Sequence, residues 1–243
     1  MKLSIIIPCY NEEKRIEKSV DNIIKYINSE KLDTEFIFIN DGSTDNTQHV
    51  LNKLGKKISW RYGITNTLIN LEHNTGKGYA LRKGIEKAKG ETILLCDADL
   101  STPITELKKL EKFIDSYDVI IGSRRQYGSR VIKPQSFLRT FLGKSYSKMS
   151  KTLLNVQIND FTCGFKLLRY KQAKEIAKRM KINRWAYDSE MLKIATIHKY
   201  PIKEVGVIWK NDKASKVNLV KDIMCSFTDL IKIIANSLLG KYD

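Results

Sequence analysis

Five short apolar runs alternate with segments of helical period over about the first 120 residues, and this alternation constrains the fold more than any other feature of the chain. The runs are Leu3–Ile7, Glu35–Ile39, Thr67–Leu71, Thr92–Cys96 and Val119–Ile121. The first ends in three consecutive isoleucines and is stopped by Pro8, the pattern of a strand buried on both faces. Asn11 is expected to cap the helix that follows, with Glu12 and Glu13 in its first turn, where the helix dipole favours anions. Ile16, Val20, Ile23, Ile24 and Ile27 then fall on one helical face. Val50, Leu51 and Leu54 do the same in the second helix, and Leu81, Ile85 and Ala88 in the third, which Gly90 is expected to close. Thr102-Pro103 reads as the start of a fourth helix. The expected architecture is α/β and Rossmann-like, a mostly parallel sheet whose strand C-termini carry the functional loops. Beyond Gly122 the pattern changes. Helices are expected at Phe137–Leu154, Lys171–Arg179 and Leu219–Leu239, with a strand near Glu204–Trp209, and no low-complexity linker separates them from the first part.

Charge narrows the partners. Lys and Arg total 43 against 27 Asp and Glu, a net charge of +16. That excess points to nucleic acid, an acidic membrane surface or phosphorylated substrates, or to nothing more than a basic solvated surface. Its distribution is uneven. No acidic residue occurs from Val119 to Asn159, where Arg124, Arg125, Arg130, Lys133, Arg139, Lys144, Lys148 and Lys151 are found. Phe137, Leu138, Phe141, Leu142, Met149 and Leu153 are interleaved at helical spacing. A basic amphipathic helix of this kind lies in a membrane interface, unless it packs on the core with a solvated basic face. The last helix repeats the pattern, with Ile223, Phe227, Leu230, Ile231, Ile234 and Leu238 on one side and Asp222, Ser226, Asp229 and Asn236 on the other. No run of about 18 apolar residues predicts a spanning helix, and Leu3–Ile7 is too short for a signal peptide. The chain is therefore expected in the cytoplasm, peripheral on the cytoplasmic face of the membrane. Its four cysteines form no Cys-x-x-Cys pair and its three histidines lie apart, which argues for reduced thiols and against zinc.

Three polar clusters follow directly on buried strands: Cys9-Tyr10-Asn11-Glu12, Asn40-Asp41-Gly42-Ser43 with Asp45, and Asp97-Ala98-Asp99. In a parallel sheet these converge on one edge. On extended backbone Asp97 and Asp99 share a face, and two convergent carboxylates are hard ligands suited to Mg²⁺ or Mn²⁺ shared with a diphosphate. Alone, the tripeptide reads equally well as a turn capping the next helix. Asn74-Thr75-Gly76-Lys77-Gly78 places a lysine among small residues at a helix start, which suits phosphate. It is not a Walker A loop, because the upstream glycine is missing and Gly78 follows the lysine in place of Ser or Thr.

In this order the clusters resemble family-2 glycosyltransferases of the GT-A fold. Ser4–Glu12 is similar to that family's opening strand, Asn40–Asp45 to its second motif, and Asn74–Gly78 and Asp97–Asp99 to its third and fourth. The resemblance implies that Pro8, Tyr10, Asn11, Glu12, Asp41, Lys77 and Asp97 surround a sugar nucleotide and that Asp97 and Asp99 serve metal and diphosphate. Asn40 stands where the family often has a second Asp. In the second half, Gly122-Ser123-Arg124, Arg139, Asp160–Lys166 and Arg184–Glu190 resemble the polyprenyl-phosphate sugar synthases, the dolichyl-phosphate glucosyltransferases first and the mannose synthases next. Ser101 stands where mannose synthases often carry Gln. This resemblance implies a catalytic domain over residues 1–217, with a donor half to about 122 and an acceptor half beyond, followed by an amphipathic helix at 218–243. The donor is expected to be UDP-glucose, with GDP-mannose the other candidate, and the acceptor a polyprenyl phosphate gripped by Arg124 and Arg139.

A lipid phosphate is largely dianionic at neutral pH, its second pKa lying near about 6, and needs little help from a base. Asp188 would orient the sugar, or act as base if the acceptor were a hydroxyl, or simply cap its helix. The competing enzyme reading is transfer to a polysaccharide, glycolipid or protein hydroxyl. A nucleic-acid-binding protein fits the charge, but no recognised module appears and no nucleic-acid partner is expected. A nucleotidyltransferase lacks its phosphate loop.

Overall fold

The computed structural model describes residues 2–211 and 219–243, and side chains of the last helix from residue 225 onward. The expected boundary at 217/218 and the side chains of Asp222 and Ile223 lie outside the described residues. The strands are β1 (Leu3–Cys9), β2 (Thr34–Asp41), β3 (Thr65–Leu71), β4 (Thr92–Leu95), β5 (Val119–Ser123), β6 (Arg130–Lys133), β7 (Lys166–Arg169), β8 (Ile202–Gly206) and β9 (Ile208–Lys210). The helices are α1 (Ile16–Ser29), α2 (Thr47–Tyr62), α3 (Lys77–Lys87), α4 (Leu107–Glu111), α5 (Phe137–Leu154), α6 (Tyr170–Arg179), α7 (Tyr187–Ile197) and α8 (Leu219–Leu238). Seven strands form one sheet in the order β3-β2-β1-β4-β7-β5-β8, and β6 and β9 make a separate pair.

Strand residues alternate between two cores, one on each face of the sheet. Ile5, Ile7, Phe36, Phe38 and Leu94 pack with α1, α2 and α4, while Ile6, Ile37, Ile39, Ile93 and Leu95 pack with α3, α6, α7 and α8. Burial on both faces is what the continuous apolar runs require. Within α3, a Cβ on Gly84 would fall 2.5 Å from Ile6 Cγ2, so glycine lets that helix lie directly on the sheet.

Four differences from the sequence reading have physical causes. Pro8 does not stop β1, which continues to Cys9 beside β2. The carbonyl of Ile6 accepts the Cys96 N–H, so Ile6 and, two residues on, Pro8 turn their amide edges toward β4. Pairing with β4 ends at Ile6, and the missing proline N–H breaks no ladder bond. Gly90 does not close α3, which ends at Lys87 with extended Ala88 after it. A Cβ at Gly90 would fall 2.6 Å from Ser4 N, so close approach to β1 is what requires glycine there. Thr102-Pro103 opens only a 3-10 turn, Ile104–Glu106, before the short α4. Finally, β7 is antiparallel and inserts between β4 and β5, a four-residue strand too short for periodicity to reveal. Its insertion decides the site: Lys166, where β7 begins, pairs with Leu95 and Ile121 near the ends of their strands. The loop before β7 is thereby delivered to the same edge as the loops after β4 and β5.

Candidate active site

Asn11 joins the first two loops at this edge. Its φ of 55° is left-handed, a conformation asparagine tolerates better than most residues. Its Oδ1 accepts from Thr44 N at 2.7 Å and Asp45 N at 3.3 Å, and its own N–H donates to Ser43 Oγ at 2.9 Å. The expected helix cap is thus corrected: α1 begins later, after Arg15, with no side-chain cap. Glu12 is buried, with its carboxylate in the fork of Arg15 and its N–H on Thr47 Oγ1. Tyr10 is 37% exposed, and Pro8 lies half-buried within β1.

Asp41 ends β2 and joins the second loop to the third. Its oxygens accept from Thr75 N at 2.8 Å, Gly76 N at 2.9 Å and Asn74 Nδ2 at 3.0 Å. Burial raises its carboxyl above the usual range, and the two backbone donors oppose that. Gly76 has a φ of 112°, which a side chain would strain, and this turn aims Lys77 inward from the start of α3.

Lys77 forms an ion pair with Asp97 just past β4. Burial works against charge on both partners, yet their attraction wins: the Lys77 ammonium is held well above its ordinary value and Asp97 below the usual carboxylate range. The Asp97 side chain remains 34% exposed. Asp99 is shifted the other way, raised by burial and by the neighbouring Asp97 charge, and accepts the Ser101 N–H at 2.9 Å. Opposite Asp97 stands Gly164, where a Cβ would fall 2.4 Å from Asp97 Oδ2. The space around that carboxylate exists because the β7 loop carries no side chain at that point.

Two further ion pairs back this corner. Lys166, fully buried, binds Asp188 and the Cys163 carbonyl. Burial raises Asp188 against the pull of Lys166 and Lys77. Arg124 donates bidentately to Asp160 through two 2.7 Å bonds, donates to Thr162 Oγ1, and stacks over Trp209 at 5.3 Å. Burial would raise the Asp160 carboxyl, but Arg124 holds it well below the usual range. The fork of Arg124, expected to meet an acceptor phosphate, is therefore already engaged by a carboxylate. Arg139 lies on another element, in the first turns of α5, half-exposed near Phe137 (86% exposed), Leu138 (58%) and Phe141 (57%).

The structure thus brings Asn11, Asp41, Lys77, Asp97 and Asp188 into one connected region, with Asp99 at its rim. Sequence reasoning assigned no role to Asp160, Gly164 or Lys166. One signal pointed at Asp160: it is the first acid after the acid-free stretch, where a buried cation would seek a partner. Burial pushes the thiols of Cys9, Cys96 and Cys163 up, so these supply no ready nucleophile. Among the described residues no group of three His, Cys, Asp or Glu is placed to hold a metal ion. A cation here would rest on Asp97 and Asp99 and take its remaining oxygens from a ligand or water, a donor set that suits Mg²⁺ or Mn²⁺.

Comparison with known proteins gives the context. The sequence profile described as Glycosyl transferase family 2 matches residues 4–177. The dolichyl-phosphate beta-glucosyltransferase of Mus musculus is 35% identical over 229 residues, covering 89% of this chain and 69% of that protein. The protein of the same name from Dictyostelium discoideum is 32% identical, covering 98% of this chain and 75% of its own length. Among solved structures, glucosyl-3-phosphoglycerate synthase from Mycobacterium tuberculosis, crystallised with Mn²⁺, UDP-glucose and glycerol 3-phosphate, superposes with a TM-score of 0.68. It is 14% identical, with 96% of this chain and 80% of that one covered, so it speaks for the fold alone.

Proposed function

The chain belongs to glycosyl transferase family 2, and on that premise we propose that it transfers glucose from UDP-glucose to a dolichol-type polyprenyl phosphate, with inversion at the anomeric carbon. An oxygen of the lipid phosphate attacks the anomeric carbon. The bond from that carbon to the diphosphate oxygen breaks, and UDP leaves with the electron pair. The nucleophile is already largely a dianion, so no proton has to be removed.

The observation that carries the choice of acceptor is the state of Asp188. A hydroxyl acceptor needs a base, and the carboxylate expected in that role is clamped by buried Lys166. A phosphate acceptor has no such requirement. The work left to the protein is to hold two anions together and balance the leaving charge. Lys77, at the N-terminus of α3, faces the diphosphate and exchanges Asp97 for it when the donor binds. Asp97 and Asp99 would hold a divalent cation; when bound, it acts as a Lewis acid that neutralises the departing diphosphate. Tyr10, Asn11, Glu12 and Asp41 shape the nucleotide pocket. Of these, Asn11 and Asp41 act by fixing the loops and Glu12 by fixing Arg15. Arg124, its charge balanced by Asp160, braces the loop on the acceptor side, and Arg139 reaches the phosphate from α5.

The acceptor half, from about residue 123, also offers a surface for lipid. Val131 and Ile132 on β6 and Phe137, Leu138 and Phe141 on α5 are exposed beside Arg130 and Lys133, whereas Tyr146, Ser150 and Leu154 later in α5 are buried. The first turns of α5 therefore suit the interfacial reading and the last turns the core-packing one. Among the described residues no helix is long and apolar enough to cross a membrane; the contact proposed for this surface, with the cytoplasmic face, is peripheral. The test is UDP-[¹⁴C]glucose with dolichyl phosphate and Mn²⁺. Label extracted into organic solvent and released by mild acid is the expected product. Label appearing only in polysaccharide, glycolipid or protein supports the hydroxyl-acceptor alternative, and label transferred from GDP-mannose but not UDP-glucose corrects the donor.

A further inference from the structure

Glu190 lies on α7, two residues beyond Asp188, and is fully buried. Both carboxylate oxygens are taken up by hydrogen bonds. One accepts from Lys181 N at 2.8 Å and the other from Ile182 N at 2.9 Å. The first also accepts from the hydroxyl of Tyr242 at 2.7 Å. Tyr242 is itself fully buried, and its carbonyl meets His198 Nε2 at 2.7 Å. A carboxylate taken out of water is retained only where its lone pairs are used, and here three donors use them.

What the carboxylate holds is the loop that backs the donor corner. The carbonyl of Asn183 accepts the Tyr79 N–H at 3.0 Å. A Cβ on Gly76 would fall 2.5 Å from that carbonyl oxygen, and one on Gly78 would fall 2.6 Å from the carbonyl oxygen of Ile182. The two glycines flanking Lys77 therefore rest directly on the backbone at residues 182–183, leaving no space for slack. Asp41 grips the same segment from the other side, at Thr75 and Gly76. Lys77 is placed by a clamp with two jaws, one at the end of β2 and the other held from the far end of the chain.

We infer that Glu190 and Tyr242 are positioning residues for Lys77: through the backbone at residues 181–183 they set the height of the Thr75–Tyr79 segment, and thereby the affinity for the diphosphate of the donor. The inference rests on the reading of this corner as the donor site, and its test separates the two. Glu190→Gln keeps the shape but has one accepting oxygen, so one of the two N–H groups loses its partner. Tyr242→Phe removes a single oxygen. Neither change opens a cavity.

Hydrogen exchange, followed by mass spectrometry without any nucleotide, reads the clamp directly. Amides of the 75–79 and 181–183 segments should exchange about tenfold faster in Glu190→Gln and about threefold faster in Tyr242→Phe, with β1 and β4 unchanged. UDP-glucose affinity should fall by similar factors, raising the donor KM while kcat and the acceptor KM stay within about twofold. Unchanged exchange at 75–79 in both variants overturns the inference. So does acceleration spread evenly through β1 and β4, which marks a general structural role. If the parent protein binds no sugar nucleotide, the functional reading falls, while the exchange result still decides the clamp.

Discussion

The three ion pairs at the sheet edge differ in how they meet solvent. On the side proposed for the donor, Lys77 and Asp97 keep 20% and 34% of their side-chain surfaces exposed. On the side proposed for the acceptor, the carboxylate of Asp160 and the ammonium of Lys166 have none, and Arg124 keeps 17%. A pair whose carboxylate is partly open to solvent can trade its partner for a ligand at lower cost than one whose carboxylate is sealed. A buried pair cannot, because each charge would be left without compensation in a poorly solvated place. The corner proposed for the donor is therefore suited to opening, and the pairs beside it are suited to staying shut and holding the loop that carries Gly164.

This contrast can be broken most sharply at Asp99. Asp99→Ala should lower transfer by about 10⁴-fold, the several kcal/mol of charge stabilisation that a bound cation supplies. Unfolding stability should change by no more than about 1 kcal/mol. Initial rates and urea denaturation of the same preparation measure both. A variant that is unfolded rather than inactive would erase the distinction between the two sides.

Asp160→Ala should do the reverse. Removing the partner of Arg124 leaves a buried guanidinium unpaired, at a cost of about 3 to 5 kcal/mol of stability measured by urea denaturation. If stability holds and only the acceptor KM rises, Arg124 is a ligand group and the buried pairs are less closed than described. The same pair has a pH signature. The folded carboxyl of Asp160 lies below its unfolded value of about 3.9. Its contribution is thus fully present above that value and is lost as pH falls through the folded one. Asp160→Asn should accordingly flatten the slope of stability against pH below about pH 4. An unchanged slope would remove the pair from the acid-unfolding account.

The smallest effect belongs to the exposed apolar residues at the start of α5. Phe137→Ser with Phe141→Ser should weaken binding to anionic vesicles by about tenfold, as partial burial of two aromatic rings implies. The melting temperature should not move, because both rings are exposed. A lowered melting temperature with unchanged vesicle binding would assign them to packing instead.

The shared edge of Asp41, Lys77, Asp97 and Asp99 was legible because these residues sit just past strands that announce themselves or at a helix start. Asp41, Lys77, Asp97 and Asp99 follow apolar runs or open a helix, so the alternation of the chain places them on one edge before any contact is known. Asn11 shows the limit of local reading. Its position after a strand and before acidic residues looked like a cap, yet its partners are Thr44 and Asp45, more than thirty residues away. The pairing of Arg124 and Lys166 was harder to read for the same reason on a larger scale. Arg124 finds Asp160 and Lys166 finds Asp188 only because the short antiparallel β7 turns back between β4 and β5. Four residues carry too little periodicity to forecast that insertion, and without it Arg124 looks like a free phosphate ligand. The helix at Phe137–Leu154 was foreseen to the residue; which of its turns are covered depends on α8, where Phe227 meets Tyr146 edge to face.

If the Asp97–Asp99 corner holds a cation against the donor, the binding of the two must be coupled. Isothermal titration of UDP-glucose with and without Mn²⁺, on the unaltered protein and on Asp99→Asn, measures that coupling without any acceptor. The unaltered protein should bind UDP-glucose at least about tenfold more tightly when Mn²⁺ is present, and Asp99→Asn should lose that gain while still binding the nucleotide weakly. Equal Mn²⁺ dependence in both proteins would contradict the assignment.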